Sequence, residues 1–122
     1  MSTQKTKNKN STRYYSNNQE SSVAKALGGV KTPNSGASDF IKGVVRVTEA
    51  SLLIECKTCL KEKNSFSIKK EWLDKNDYEA RISRLSNNMV AFNFGPDTPN
   101  YYIINEKLCK YLIDKLKEDL SD

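Results

Sequence analysis

The sequence predicts an α/β fold in which helices cover a mixed β-sheet. The run VVRVTEASLLIECK is dominated by β-branched and aliphatic residues, and it predicts two strands, at 44–48 and 51–57, joined by a tight turn at Glu49-Ala50. Two further apolar runs, MVAFNF and YYII, flank the strong turn former GPDTP and predict two more strands. Leucines that recur every four residues near the C-terminus predict a helix.

The C-terminal third is predicted to contain strands at 89–94 and 101–104, followed by a helix at 106–119 that Asn105 caps. The apolar face of this helix belongs either to the core or to a dimer contact. Its members are Leu108, Leu112, Leu116 and Leu120.

A short strand at 66–68 and a helix at 69–85 are predicted before these elements. The helix has an interrupted apolar stripe, which we expect to face the core. The stripe consists of Ile68, Trp72, Tyr78, Ile82 and Leu85.

The N-terminal part is polar and basic over residues 1–16, which predicts a disordered tail. That tail is either a solvated terminus or a basic arm that contacts phosphates. A helix at 17–27 follows, with Asn17 or Asn18 as its cap, and then a loop at 28–43 rich in Gly, Ser, Pro and Asn.

The length of 122 residues suits one domain, which we place at 17–122. No apolar run approaches the roughly 20 residues of a membrane span, and no secretory signal is recognisable, so we expect an intracellular, cytoplasmic protein. The net charge of +5 favours a polyanionic partner. Because the chain has no histidine, Ser-His and Cys-His catalysis and His-ligated zinc are excluded.

The segment Ile54-Glu55-Cys56-Lys57 carries the candidate chemistry. Side chains alternate along a strand, so Glu55 and Lys57 share one face and Cys56 lies on the other. Such a pair is either an ordinary ion pair or half of a metal-dependent hydrolytic site, in which the acid binds Mg²⁺ and the lysine stabilises a phosphodiester.

The order of these features resembles the PD-(D/E)XK nucleases, and among them the Holliday junction resolvases of archaea and phages. The shared features are a helix with an acid, here Glu20, a loop reading SGAS at 35–38, a β-hairpin with E-x-K in its second strand, and a following helix. The resemblance covers about residues 17–105 and implies a restriction-endonuclease-like mixed central sheet flanked by helices. The acid of the first helix has an ordinary interpretation too, because it complements the helix dipole.

The resemblance also implies roles for individual residues. Glu55 is similar to the metal-binding acid, Lys57 to the catalytic lysine, and the backbone carbonyl of Cys56 to the main-chain metal ligand. Glu20 resembles the helix acid that completes the site, and Ser35 the loop serine near the scissile phosphate. The implied cofactor is Mg²⁺ or Mn²⁺.

The sequence departs from this family at one metal-ligand position. The family has an Asp that opens the first hairpin strand, and the matching position in KGVVRV is Val44. The chain is therefore either an inactivated variant of an active nuclease or a naturally degenerate member, unless Asp39 in the preceding loop takes the role.

The implied substrate is branched DNA such as a four-way junction, cut by a homodimer during DNA recombination or repair. A phosphate-facing patch is the preferred interpretation of the lysines that follow the site, although a solvated charge run explains them too. The candidate DNA-binding residues are Lys31, Ser35, Lys42, Lys61, Lys63, Lys69 and Lys70. The alternatives are a non-catalytic DNA-binding module on the same fold and an unrelated α/β interaction protein.

Overall fold

The chain forms a five-stranded mixed sheet flanked by three helices. The structure, a computed structural model, describes residues 12–32 and 43–121. In chain order the elements are α1 (Thr12–Leu27), β1 (Val30–Lys31), β2 (Val44–Val47), a 3₁₀ turn (Thr48–Ala50), β3 (Leu52–Lys57), α2 (Lys70–Ile82), β4 (Asn87–Phe92), β5 (Tyr101–Ile104) and α3 (Glu106–Leu120).

The strands lie in the order β1-β2-β3-β4-β5, so β3 is the central strand. All neighbours pair antiparallel except β3 and β4, which are parallel because α2 carries the chain back across the sheet between them. In the β2–β3 hairpin, Val44 lies opposite Glu55 and Val47 opposite Leu52. The α/β class and the mixed sheet predicted from the sequence are confirmed.

The two faces of the sheet have separate apolar clusters, as the alternation of side chains along β2 and β3 requires. Helix α1 covers one face, where Val23 packs with Val45 and Ile54. Helix α2 covers the other face, where the cluster comprises Val44, Leu53 and Ala80, with Leu85 packed against it. The central strand is therefore buried on both sides.

The tip of the hairpin is a 3₁₀ turn that ends at Ser51, whose φ of 51° lies in the left-handed region. The turn joins the hairpin to the start of β4. The Ser51 hydroxyl accepts a hydrogen bond from the backbone N–H of Ser86 at 2.7 Å, and its carbonyl accepts one from the N–H of Asn87 at 2.8 Å. Ser51 thus fixes where the parallel pairing of β3 and β4 begins.

The N-terminal elements differ from the sequence prediction. Helix α1 begins at Thr12, so the predicted tail at 1–16 is wrong for its last residues, and its remainder lies outside the described residues. The structure also has the short strand β1 inside the region predicted as a loop. It pairs with β2 through Val30 and Lys31, a contact too short to leave a periodic signal in the sequence.

Helix α2 and its surroundings also correct the prediction. Residues 66–68 form no strand, and the helix covers Lys70–Ile82 rather than 69–85. Its predicted apolar stripe faces the core only in part, because Ile68, Tyr78 and Ile82 are exposed, whereas Leu85 packs against the core cluster. The buried residues of α2 are instead Asn76, Glu79 and Ala80, which lie on one face at helical spacing.

The C-terminal helix starts as predicted but packs differently. The Asn105 side chain accepts a hydrogen bond from the Leu108 N–H at 2.8 Å and so caps α3. No residue of α3 is buried, and every residue from Lys110 to Leu120 is exposed. Of the two alternatives for its apolar face, burial in the core is therefore wrong for Leu112, Leu116 and Leu120. Among the described residues, no helix has the length and apolar character needed to cross a membrane.

This arrangement predicts very different costs for two leucine truncations. Leu53→Ala should lower the free energy of unfolding by about 2–5 kcal/mol, because Leu53 is fully buried beneath α2. Leu116→Ala should change it by no more than about 0.5 kcal/mol in dilute, monomeric protein, because that side chain is 59% exposed. Denaturant titration measures both values, and a large cost at Leu116 would show that α3 packs against its own chain.

Candidate active site at the end of strand β3

Glu55 and Lys57 form an ion pair near the end of the central strand. Their side chains share the α2 face, as predicted, and the Lys57 Nζ lies 3.3 Å from the Glu55 Oε2. Glu55 is only 4% exposed, whereas the Lys57 side chain keeps about a quarter of its surface in contact with solvent. The lysine is thus accessible to a ligand while it neutralises part of a buried carboxylate.

An aromatic cluster lies beside Lys57. The Nζ of Lys57 lies 4.8 Å from the centroid of the Trp72 ring, at cation–π distance. Phe66 contacts both Trp72 and Phe92, with centroid separations of 6.0 and 5.2 Å, and Phe92 stacks on Tyr101 at 5.8 Å. The ammonium group is therefore held between a carboxylate and an aromatic wall.

A second buried carboxylate, Glu79 of α2, belongs to the same site. Burial raises the pKa of Glu79, and the charge of Glu55 raises it further, while Lys75 and Lys57 lower it. Burial likewise raises the pKa of Glu55, against the lowering effects of Lys57 and Lys75. Glu79 was not among the predicted site residues, because the inner face of α2 was expected to be apolar.

Glu20 reaches the same end of the sheet from the other side. Its helix packs on the face that carries Cys56, and a Cβ atom at Gly43 would lie 3.8 Å from the Glu20 Oε2. Burial raises the pKa of the Cys56 thiol, and the charges of Glu20 and Glu55 raise it further. Glu20 thus lies near the E-x-K strand, on the side of the sheet that carries Cys56 rather than on the side of Glu55 and Lys57.

Val44 occupies the expected acid position and contributes no ligand atom. It is fully buried and packs with Leu53 and Ala80. The Cys56 N–H donates to the Gly43 carbonyl at 3.0 Å, so the neighbouring Val44–Glu55 pair is the closely spaced, non-hydrogen-bonded kind. An acid at this position would stand beside the Glu55 carboxylate, whereas the valine gives it an apolar neighbour.

The candidate DNA-binding residues are only partly placed. Ser35 and Lys42, like Asp39, lie outside the described residues. Lys31 donates a hydrogen bond to the Ser21 hydroxyl at 3.1 Å. The remaining lysines, all exposed, are Lys61, Lys63, Lys69 and Lys70.

Two of these lysines differ in how far they are engaged within the protein. Lys69 lies 5.9 Å from the Trp72 ring centroid, on the same indole that Lys57 approaches. Lys70 pairs with Asp74 at 2.8 Å in the next turn of α2. Of these two lysines, Lys69 is therefore the one whose ammonium group lies near the candidate site.

The available donors suit a hard divalent cation in kind, because Glu55 and Glu79 offer carboxylate oxygens. The Glu55 Oε1 and both oxygens of Glu79 are buried and accept no hydrogen bond from the described residues. Within 12–32 and 43–121, no three His, Cys, Asp or Glu side chains come together as a metal-binding group. The site thus has two acidic side chains to offer, and further ligands would come from water, a carbonyl or a substrate.

Comparisons of the chain with protein-family models, with curated proteins and with solved structures gave no match.

The raised carboxyl pKa values predict how stability depends on pH. A folded-state pKa above the ordinary 4.5 means that the folded protein binds protons more tightly than the unfolded chain does. The stabilising effect is complete below the unfolded pKa and is lost as the pH rises through the folded pKa. Glu79→Gln should therefore flatten the fall of the melting temperature above pH 4.5 in metal-free buffer.

The measurement compares melting temperatures of the wild type and Glu79→Gln from pH 4.5 upward. Glu71→Gln is the matched control, because Glu71 is an exposed carboxylate on the same helix. Its pH profile should run parallel to that of the wild type. A Glu79→Gln profile as steep as the wild-type one would mean that Glu79 ionises normally in the folded protein.

Proposed function

We propose that the protein is a metal-dependent endonuclease of the PD-(D/E)XK type that cuts branched DNA. The observation that carries the proposal is the 3.3 Å pair of Glu55 and Lys57 near the end of the central strand. The order of elements supports it: a helix with an acid is followed by a hairpin with E-x-K in its second strand, and then by a helix on the same face. A restriction-endonuclease-like fold is part of this proposal.

The side chains divide the chemistry between them. Glu55 would hold Mg²⁺ or Mn²⁺ through its buried carboxylate, and the Cys56 carbonyl would add a main-chain ligand. The bound ion supplies Lewis-acid activation of a water and of the phosphodiester. Lys57 would stabilise the negative charge that develops on the phosphate, since its Nζ is already fixed by Glu55 and the Trp72 ring. Glu20 would support the site from the opposite face.

DNA is the proposed partner because the chain is basic and an exposed lysine, Lys69, adjoins the site. Lys69 lies next to the Trp72 ring that Lys57 contacts, so a phosphate near Lys57 would also be attracted by Lys69. The preference for branched over linear DNA comes from the resemblance to Holliday junction resolvases. The cytoplasmic setting stays a prediction.

A homodimer is proposed through helix α3, on which most of the large apolar side chains are exposed in the described part of the chain. Leu112, Leu116 and Leu120 are exposed by 43, 59 and 84%. A 15-residue helix is only marginally stable alone in water, so a packing surface for this face would stabilise it. The helix has four lysines and four carboxylates, and its lack of net charge suits contact with an identical copy. Two copies would supply two sites for the two symmetric strands of a junction.

The dimer proposal predicts that Leu116→Asp shifts the protein towards monomer. A charge in the middle of an apolar contact would have to be desolvated. Sedimentation of the full chain at micromolar concentration measures the change, and Lys115→Ala is a control for altering the same helix without removing apolar surface. A wild-type protein that sediments as a monomer would contradict the proposal.

A second candidate function is non-catalytic binding of branched DNA on the same fold. The burial of Val44 opposite Glu55 favours it, because this leaves Glu55 without an acidic neighbour on β2. A protein of this kind would bind a junction tightly and leave it uncut in the presence of Mg²⁺.

Cleavage measurements separate the two candidates. The wild type should cut a labelled four-way junction in Mg²⁺ or Mn²⁺, whereas Glu55→Gln and Lys57→Ala should each lower the rate by about 100-fold or more. Junction binding by fluorescence anisotropy should change little in either variant. Lys25→Ala, an exposed lysine of α1, is the charge-matched control for Lys57→Ala. Tight binding without any metal-dependent cleavage would establish the non-catalytic alternative.

A further inference from the structure

Glu79 is a buried carboxylate without a hydrogen bond. It is 1% exposed, and neither of its oxygens accepts a hydrogen bond from the described residues. Asn76, its neighbour on the same face, instead makes hydrogen bonds through both its amide nitrogen and its amide oxygen. The Asn76 amide donates to the Leu53 carbonyl at 3.5 Å, and its oxygen accepts from Asn88 at 2.7 Å. These hydrogen bonds explain why Asn76 can be buried, whereas no such contact among the described residues explains the burial of Glu79.

Among the described residues, the cation paired with Glu79 is poorly placed to neutralise it. The Lys75 Nζ lies 3.9 Å from the Glu79 Oε2, at the limit of an ion pair, and its side chain is 51% exposed. A lysine that remains in water screens a buried charge only partly. A buried carboxylate without hydrogen bonds carries a desolvation cost that this contact does not offset.

Glu79 and Glu55 both have buried carboxylate oxygens that accept no hydrogen bond from the described residues. Both side chains belong to the α2-facing side of the sheet, where Ala80 packs against Val44 and Leu53. The Glu55 Oε1 also has no hydrogen bond among the described residues, and Lys57 engages the other oxygen. The charge of Glu55 raises the pKa of Glu79, and Lys75, the ion-pair partner of Glu79, lowers the pKa of Glu55, as expected for groups in one neighbourhood. A bound divalent cation would satisfy such a group of carboxylate oxygens.

We infer that Glu79 is the second carboxylate ligand of the divalent cation, and that it supplies from α2 the acid that Val44 does not supply from β2. The inference rests on the proposed function for the role of the metal. Val44 is the cross-strand neighbour of Glu55, and Ala80, which packs against Val44, follows Glu79 in the chain. The longer Glu side chain on the helix thus approaches the region that an Asp on the strand would occupy.

Two carboxylates suit a hard cation that keeps much of its water. Mg²⁺ and Mn²⁺ are commonly held by one or two carboxylates, with water and substrate phosphates completing the coordination. Lys57 and Lys75 would then balance charge at the rim of the site rather than bind the metal. An active enzyme is consistent with Val44 under this arrangement.

The test measures Mn²⁺ affinity of the full-length protein without DNA, by electron paramagnetic resonance of the free ion. Glu79→Gln keeps the shape of the side chain and removes its charge, and it should weaken Mn²⁺ binding by about 10- to 100-fold, a loss that even indirect changes to metal sites produce. Glu55→Gln should have at least as large an effect. Glu71→Gln, on the same helix, should bind Mn²⁺ as the wild type does.

A relocation experiment distinguishes a ligand from a residue that merely supports the fold. Adding Val44→Asp to Glu79→Gln moves one carboxylate from the helix to the strand, and it should restore Mn²⁺ affinity to within about tenfold of the wild type. Circular dichroism monitors folding of each variant. Glu79→Asp, which retains the charge on a shorter side chain, should lie between the wild type and Glu79→Gln.

The outcomes separate this inference from the proposed function. If Glu79→Gln binds Mn²⁺ and cuts the junction like the wild type while Glu55→Gln does neither, Glu79 is no ligand and the nuclease proposal stands. Loss of Mn²⁺ binding in Glu79→Gln, in a wild type that binds Mn²⁺ but never cuts DNA, supports the inference and overturns the nuclease proposal. A wild type that binds no Mn²⁺ at millimolar concentration overturns both.

Discussion

The structure depends on the burial of one strand, β3, on both of its faces. Because β3 is central in the sheet, its backbone hydrogen bonds are used on both edges, and α1 and α2 must cover its two surfaces. Leu53 and Ile54 meet this requirement with apolar side chains. Charge is tolerated only towards the end of the strand, where Glu55 and Lys57 neutralise one another. The same constraint that builds the core therefore also places this charged pair.

Two buried carboxyl groups, Glu55 and Glu79, lie in the core between α2 and the sheet, and their burial costs stability. Val44, the cross-strand partner of Glu55, gives the carboxylate an apolar neighbour, and apolar surroundings strengthen electrostatic effects. Glu79 brings a second carboxyl group into the same region, and its ion-pair partner among residues 12–32 and 43–121 is the exposed Lys75, at 3.9 Å. A fold selected for stability alone would have no need of such a group, and local violations of this kind are typical of functional sites.

Local chemistry accounts for the features that the sequence predicted well. The hairpin follows from the alternation around Glu49-Ala50, and the start of α3 follows from the capping side chain of Asn105. The pairing of Glu55 with Lys57 follows from the two-residue period of a strand. Each of these depends on neighbours within a few residues, and so it can be deduced before the tertiary fold is known.

The failures arise where distant parts of the chain decide the outcome. The spacing of the leucines predicts an apolar face on α3, but the spacing does not determine whether the sheet or another surface covers that face. The apolar side chains of α2 were expected inside, whereas the sheet accepts Asn76, Glu79 and Ala80. The available signal for Glu79 was its spacing of three residues from Asn76, next to the small residue Ala80. Its meaning depended on the register of β2 and β3, which the sequence does not reveal.

The contacts of Ser51 have a consequence for the order in which the sheet assembles. The hairpin closes a short segment of chain, whereas the parallel pairing of β3 and β4 must wait for the intervening crossover, whose closure costs more entropy. Because Ser51 holds Ser86 and Asn87 at the hairpin tip, pairing can begin at Leu52 and proceed strand by strand towards Lys57. The hydrogen bonds between β3 and β4 would then form in sequence from Leu52 onwards, and those at the end that carries Glu55 and Lys57 would form last. Transient opening of that end would leave the anchored tip, and with it the register of the whole sheet, undisturbed.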